Sequence, residues 1–142
     1  MPVKAVPALN SNHEIIERAA TAEQLAIAID NNAFSAVLAD VENIVIDNRN
    51  MASLLIHLFN NAGTNSFDYE ISGHAKQVDV PPALSIAPKD WVVLPNGTGS
   101  VANDANAALT VTDDWAWIAI RLKRTVSSNN SIADIFIRGL KN

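Results

Sequence analysis

Cysteine is absent from the 142 residues, which removes disulfides, thiolate zinc sites and a cysteine nucleophile from consideration. Positive charge is scarce as well. Ten Lys and Arg stand against 15 Asp and Glu, a net charge of −5. Neutralising a phosphate backbone takes an excess of cations, so no nucleic-acid partner is expected. The only cluster of basic residues is Arg121, Lys123 and Arg124. No apolar run reaches the roughly 18 residues of a membrane-spanning helix. Met1–Pro7 lacks the apolar core of a secretion signal, so neither a membrane nor export is expected and synthesis in the cytoplasm is.

Recognisable reaction chemistry is missing too. Gly97-Thr98-Gly99-Ser100 is followed by Val101, so it is neither a phosphate-binding loop with its lysine nor a dinucleotide fingerprint. No Gly-x-Ser-x-Gly elbow occurs. Asn103-Asp104-Ala105-Asn106 and Asp113-Asp114 offer oxygen ligands but lack the glycine and terminal Glu of a calcium loop, and read as solvated turns. The three histidines are His13, His57 and His74. His57 and His74 could share a sheet face, but no third ligand stands at a metal-site spacing. No enzyme, no cofactor and no metal site is expected.

What remains is a folding chain. Hydrophobic residues make up 49% and charged residues 18%, a balance that favours a packed globule over disorder. A chain of this length buries roughly 68–70% of its unfolded surface in one domain. Residues 1–10, with Pro2 and Pro7, read as an extended arm. Val3, Val6 and Leu9 share one side of that arm if it adopts a three-residue-per-turn polyproline helix. Such a strip suits an apolar groove on a neighbouring subunit. In residues 11–32, Ser11-Asn12-His13-Glu14 and Thr21-Ala22-Glu23-Gln24 have capping-box spacing and predict a short helical segment. A strand at Gln24–Ile29 competes with it, because Leu25, Ile27 and Ile29 also alternate.

From residue 33 to 142 the pattern is β. Short strands are expected at Phe34–Leu38, Ile44–Ile46, Trp91–Leu94, Ala107–Thr112, Trp115–Arg124 and Ile132–Leu140. Between the first pair and Trp91 the runs Ala52–Phe59 and Phe67–His74 flank Asn60–Asn65, rich in turn-forming residues, and predict a hairpin. Leu54, Ile56 and Leu58 occupy one side of the first run, while Leu55 and Phe59 give the other side an apolar share. Phe67, Tyr69 and Ile71 oppose Asp68, Glu70, Ser72 and His74 in the second. Val78–Pro88, with Pro81, Pro82 and Pro88, reads as a connection crossing between sheets, and Pro95–Gly99 as a turn. The fold class expected is mainly β, an antiparallel β-sandwich or jelly-roll-like domain with the arm and helical segment before it.

The run Trp115–Arg124 separates two faces. Ala116, Ile118, Ile120 and Leu122 form one; Trp115, Trp117, Arg121 and Lys123 form the other. Trp and Arg are enriched where interfaces are strongest, so these four join Val3, Val6 and Leu9 as candidate interface residues. The competing reading covers the tryptophans with the N-terminal helix and pairs Arg121 and Lys123 with acids such as Asp68 and Glu70. A second alternative has Trp91, Trp115, Trp117 and Tyr69 stacking on a sugar, making the chain a carbohydrate- or receptor-binding module on a tail or fibre.

The strand series Ser53–Ile71, together with Trp115–Lys123 and Ile132–Gly139, resembles small β-sandwich virion proteins of tailed bacteriophages, such as capsid decoration and other auxiliary proteins. The resemblance covers about Phe34–Leu140 as a pattern and carries over no site residues. It implies a non-enzymatic structural role in the virion, as a homo-oligomer in contact with other structural proteins such as a major capsid protein.

Overall fold

The computed structural model describes residues 19–61, 65–84, 90–125 and 131–141. The arm with Val3, Val6 and Leu9, and the first capping box at 11–14, lie outside the described residues. Eight strands follow in order: β1 (Ala19–Ile29), β2 (Asn43–Asp47), β3 (Met51–Asn60), β4 (Phe67–His74), β5 (Val92–Val101), β6 (Asn106–Val111), β7 (Trp117–Arg124) and β8 (Ser131–Lys141).

Their pairing follows one rule. β1 pairs with β8, β2 with β7, β3 with β6 and β4 with β5, all antiparallel. The chain is thus one long four-tier hairpin, rolled up so that β8 also meets β3 and β7 also meets β4. The result is two four-stranded sheets, β1-β8-β3-β6 and β2-β7-β4-β5, the connectivity of a jelly roll. Inward residues of all eight strands share one core, with Ile46, Ile56, Ile118, Ile120, Leu122 and Ile135 fully buried. Each such side chain contributes roughly 1.5–3 kcal/mol through its burial.

Several expectations are corrected. No helix occurs among the described residues, and the second capping box at Thr21–Gln24 lies inside β1. Spacing of cap residues is a local signal worth about a kilocalorie; pairing along the whole length of β8 and burial of Ile27 and Ile29 outweigh it. The hairpin of 52–74 is not a hairpin either. Its two strands form, but β3 pairs with β8 and β6 while β4 pairs with β7 and β5, so the two lie in different sheets. Conversely, β4 and β5, on either side of the expected crossing connection, are neighbours in one sheet. Phe34–Leu38 is irregular rather than a strand.

β5 also runs through the expected turn at Pro95–Gly99. The ladder with β4 shifts register between Glu70 and Ser72, and Asn96 takes a φ of 59°. A Cβ on Gly97 would stand 2.5 Å from the Ile71 carbonyl oxygen, so the bulge closes only around glycine. Pro95 is tolerated because β5 is an edge strand.

Candidate interaction surfaces

A sandwich has two outer faces, and this chain treats them differently. Outward positions of β2 and β7 in the second sheet are covered from within. Val45, Ala116, Trp117 and Ala119 form a second apolar cluster with Leu84 and Trp91, and Ala36 and Leu38 pack onto it. The covering segments are held by the indoles: Trp117 Nε1 donates to the Val78 carbonyl at 3.2 Å, and Trp91 Nε1 to that of Ala83 at 3.0 Å. Glu42, itself buried, fastens the start of the other segment by accepting from the amides of Asp30 and Asn31 at 2.9 and 3.1 Å.

The candidate stripe lies on this covered face. Trp117 is 2% exposed and Arg121 4%. Arg121 forms an ion pair with Glu70, its register partner on β4, and its guanidinium sits over the Phe34 ring at 5.6 Å. Lys123 reaches Asp68 at 3.5 Å and the same ring at 5.4 Å. Asp68 also accepts from Ser100 Oγ, and from Thr125 Oγ1 at 3.0 Å. Burial works to raise the Asp68 pKa, but these hydrogen bonds and the Lys123 charge outweigh it and hold the carboxyl below its ordinary value. Trp115 breaks the alternation: it packs against the main core, while Ala116 and Trp117 both join the outer cluster. A Cβ on Gly73 would lie 2.4 Å from the Trp115 ring, which therefore rests directly on the β4 backbone. The acid–base pairing weighed against an interface is present, with loops in place of the helix as cover.

The outer face of β1-β8-β3-β6 has no such cover among the described residues. On β8 the outward positions are Ile132, Asp134, Phe136, Arg138 and Leu140; on β3 they include Leu55, His57 and Phe59. Leu55, Phe136 and Leu140 are 41%, 39% and 42% exposed, large values for leucine and phenylalanine on adjacent strands. The His57 and Phe136 rings, opposite each other in the register, lie 6.1 Å apart. Asp134 Oδ1 accepts from the Ala26 amide at 2.8 Å, closing a bulge in β1 where Ala26 takes a φ of 54°. The stripe reading passed over this face, although Leu55 and Phe59, the apolar share of that side of their run, were its signal.

The four edges do not invite strand addition. β1 is bulged, β5 carries Pro95 and a register shift, and β2 and β6 span 5 and 6 residues. These are the devices by which sheets avoid edge-to-edge pairing.

Clefts accompany the faces among the described residues. One of about 360 Å³ opens between β1 and β2, with Leu25, Ile27, Val41 and Ile44 in its wall. Another, of about 770 Å³, lies beside His74, Val80, Pro81 and Asp90. His74 accepts from the Lys76 amide at its Nδ1 (3.1 Å) and meets Trp91 edge-on. His57 and His74 sit on different sheets, so they share no face. Among the described residues no three His, Asp or Glu side chains come together as metal ligands. Nor does any helix among them have the length and apolarity to cross a membrane.

No family model and no curated protein sequence matches the chain. Solved structures do resemble it. A domain-sized part of tripeptidyl peptidase 2 aligns with 98% of this chain at 10% identity and a TM-score of 0.50, the chain spanning 10% of that protein. CorA, a surface-associated copper-binding protein of Methylomicrobium album BG8, aligns over 84% of this chain and 92% of its own at 6% identity and a TM-score of 0.51. The Tobacco streak virus coat protein, solved as a dimer, is 11% identical over 88% of this chain and 87% of its own, with a TM-score of 0.39. At such identities likeness speaks for the β fold alone, and a fold hosts many functions.

Proposed function

We propose that this chain is a non-enzymatic structural subunit of a symmetric particle, a capsid-decoration or other auxiliary protein of a virion. The observation that carries the reading is the contrast between the two outer faces. One is largely covered by the chain's own loops over a buried ion pair, with Val93 on β5 and Val37, Val41 and Val80 on those loops still exposed, and the other presents Leu55, Phe136 and Leu140 to solvent across a four-stranded sheet. Half-exposed large apolar side chains grouped on one face mark a contact surface. The resemblance of the strand series to small virion proteins of tailed bacteriophages suggests the kind of particle, with copies of itself and a major capsid protein as partners. Its place is then the virion, after synthesis in the host cytoplasm.

The carbohydrate-binding alternative needs exposed rings. Trp91 and Trp117 are buried, and Trp115 and Tyr69 are packed against the core, which leaves no indole platform for a sugar. Purification of the native particle, identification of its proteins by mass spectrometry and location of this chain by electron microscopy test the proposal. Copies at positions that follow the particle's symmetry are expected, along with a blank glycan array. A chain absent from every particle that binds a defined glycan overturns it.

A further inference from the structure

The bare face reads the same in both directions. Along β8 the outward residues run Ile132, Asp134, Phe136, Arg138, Leu140: apolar, acidic, aromatic, basic, apolar. Alongside on β3, Leu55 and Phe59 flank His57, and on β6 Thr110 and Asn106 flank Ala108. Reversal about the row that holds Phe136, His57 and Ala108 therefore exchanges like with like at the apolar positions and acid with base at the charged ones.

We propose that two copies of this chain pack through these faces about a two-fold axis lying along that row, an inference that rests on the assembly reading above. A two-fold contact uses one patch twice, so residue i meets j and j meets i. With the axis across the strands, β8 lies antiparallel over the β8 of its copy and β3 over β3. Asp134 then faces Arg138 twice, Ile132 faces Leu140 twice, Leu55 faces Phe59 twice, and Phe136 meets its own copy at the centre. Sheets packed this way stand about 10 Å apart with strands near parallel or antiparallel. The alternative axis, along the strands, lays Arg138 over Leu55 and Asp134 over Phe59, which desolvates both charges without pairing them. Glu23, at the outer end of the central row on β1, is the one like-charged position that the chosen axis doubles, at an edge where water and salt screen it.

The dimensions fit a stable contact. Four strands at about 4.8 Å and nine residues at about 3.3 Å give a face of roughly 20 by 30 Å. That is of the order of the roughly 800 Å² that each partner contributes to a standard interface. Edge pairing is closed off by bulge, proline and short strands, while this face stays open to self-association among the described residues.

Charge reversal tests the axis itself. Sedimentation velocity at around 0.1 mM is expected to give a dimer for the wild-type chain. Arg138→Glu sets acid against acid at both positions, and Asp134→Lys sets base against base; each alone is expected to raise the dissociation constant at least tenfold. Mixed together, the two variants restore both ion pairs and are expected to sediment as a heterodimer. Leu55→Lys, which touches none of the bulge contacts that Asp134 makes, is a second probe should Asp134→Lys fold poorly, and is expected to be monomeric. Val80→Glu, exposed on the other side of the molecule, is expected to leave the dimer intact. A wild-type chain that associates equally well with Arg138→Glu or Leu55→Lys in place overturns this dimer and leaves assembly through another surface standing. A monomeric wild type overturns the dimer as well, and the particle's composition then decides the assembly reading independently.

Discussion

Glu70 and Arg121 stand opposite each other on β4 and β7 and close an ion pair beneath Phe34, with the arginine side chain 5% and the glutamate 15% exposed. This pair ties the outer face of one sheet to the chain's own loop, where Arg121 Nη1 also donates to the Ser35 carbonyl at 3.4 Å. Removing one member of a buried pair strands the other charge, at a cost of about 3–5 kcal/mol. Arg121→Ala is therefore expected to lower the unfolding free energy by about 3 kcal/mol in urea titration. Arg121→Met with Glu70→Leu is expected to recover most of that loss. A cost under about 1 kcal/mol for Arg121→Ala would mean that water already reaches the pair.

Ile56 and Ile118 have no exposed surface and point into the shared core from opposite sheets. Aspartate at either position buries a charge without a partner, a cost of several kcal/mol against a total stability of roughly 5–15 kcal/mol. Ile56→Asp and Ile118→Asp are each expected to abolish cooperative melting and the near-ultraviolet circular dichroism of the tryptophans. A variant that melts at the parent temperature would displace that residue from the core.

Asp68 gives the pH dependence a sign. Its folded pKa lies below the ordinary carboxyl value of 3.8, so its contribution is complete above that value and is lost as the pH falls through it toward the lower folded value. Asp47 behaves alike: burial acts to raise its pKa, and the hydrogen bonds and charge of Arg49 more than offset it. The melting midpoint is expected to be level from neutral pH to about 5 and to fall below about 4. Asp68→Asn is expected to shallow that fall, and Asp68→Ala to cost about 1 kcal/mol or less at neutral pH, since Asp68 is only partly buried. A steeper acid loss in Asp68→Asn would contradict the direction of the shift.

Ala26 holds a left-handed φ of 54° at an exposed bulge, a conformation that costs an L-residue with a Cβ roughly 1–2 kcal/mol. Glycine removes that cost and loses somewhat more chain entropy on folding. Ala26→Gly is expected to raise stability by about 0.5 kcal/mol, read as a higher midpoint in thermal melting. Asn96 and Asp104 share the conformation, but their side chains tolerate it, and glycine there is expected to give less. A lower midpoint for Ala26→Gly would show that the strain is not stored at this residue.

Part of this architecture is written locally. Leu54, Ile56 and Leu58 on one side of their run, and Ile118, Ile120 and Leu122 on one side of theirs, are core residues in the structure as the alternation alone requires. The acids Asp68 and Glu70 likewise stand on the opposite side from Phe67 and Ile71, which made their pairing with Lys123 and Arg121 legible as one of two readings. Leu55 and Phe59 carried a signal for the bare face too, because apolar residues on both sides of a strand need cover on both sides.

Alternation is a property of each strand taken singly, since successive side chains point to opposite faces whatever lies beside them. Which strands pair is not. The backbone hydrogen bonds of β3 are as well satisfied by β4 as by β8 and β6, and only the burial reached by the whole rolled chain chooses between them. Residues 19–29 show the same limit: their cap spacing and their alternation disagreed, and β8, more than a hundred residues away, decided for strand. Whether Trp117 and Arg121 met solvent or were covered depended on the path of irregular segments, which has no period to read. The two-directional pattern of the bare face likewise appears only when β8, β3 and β6 lie side by side, because self-complementarity belongs to a surface and not to any one strand.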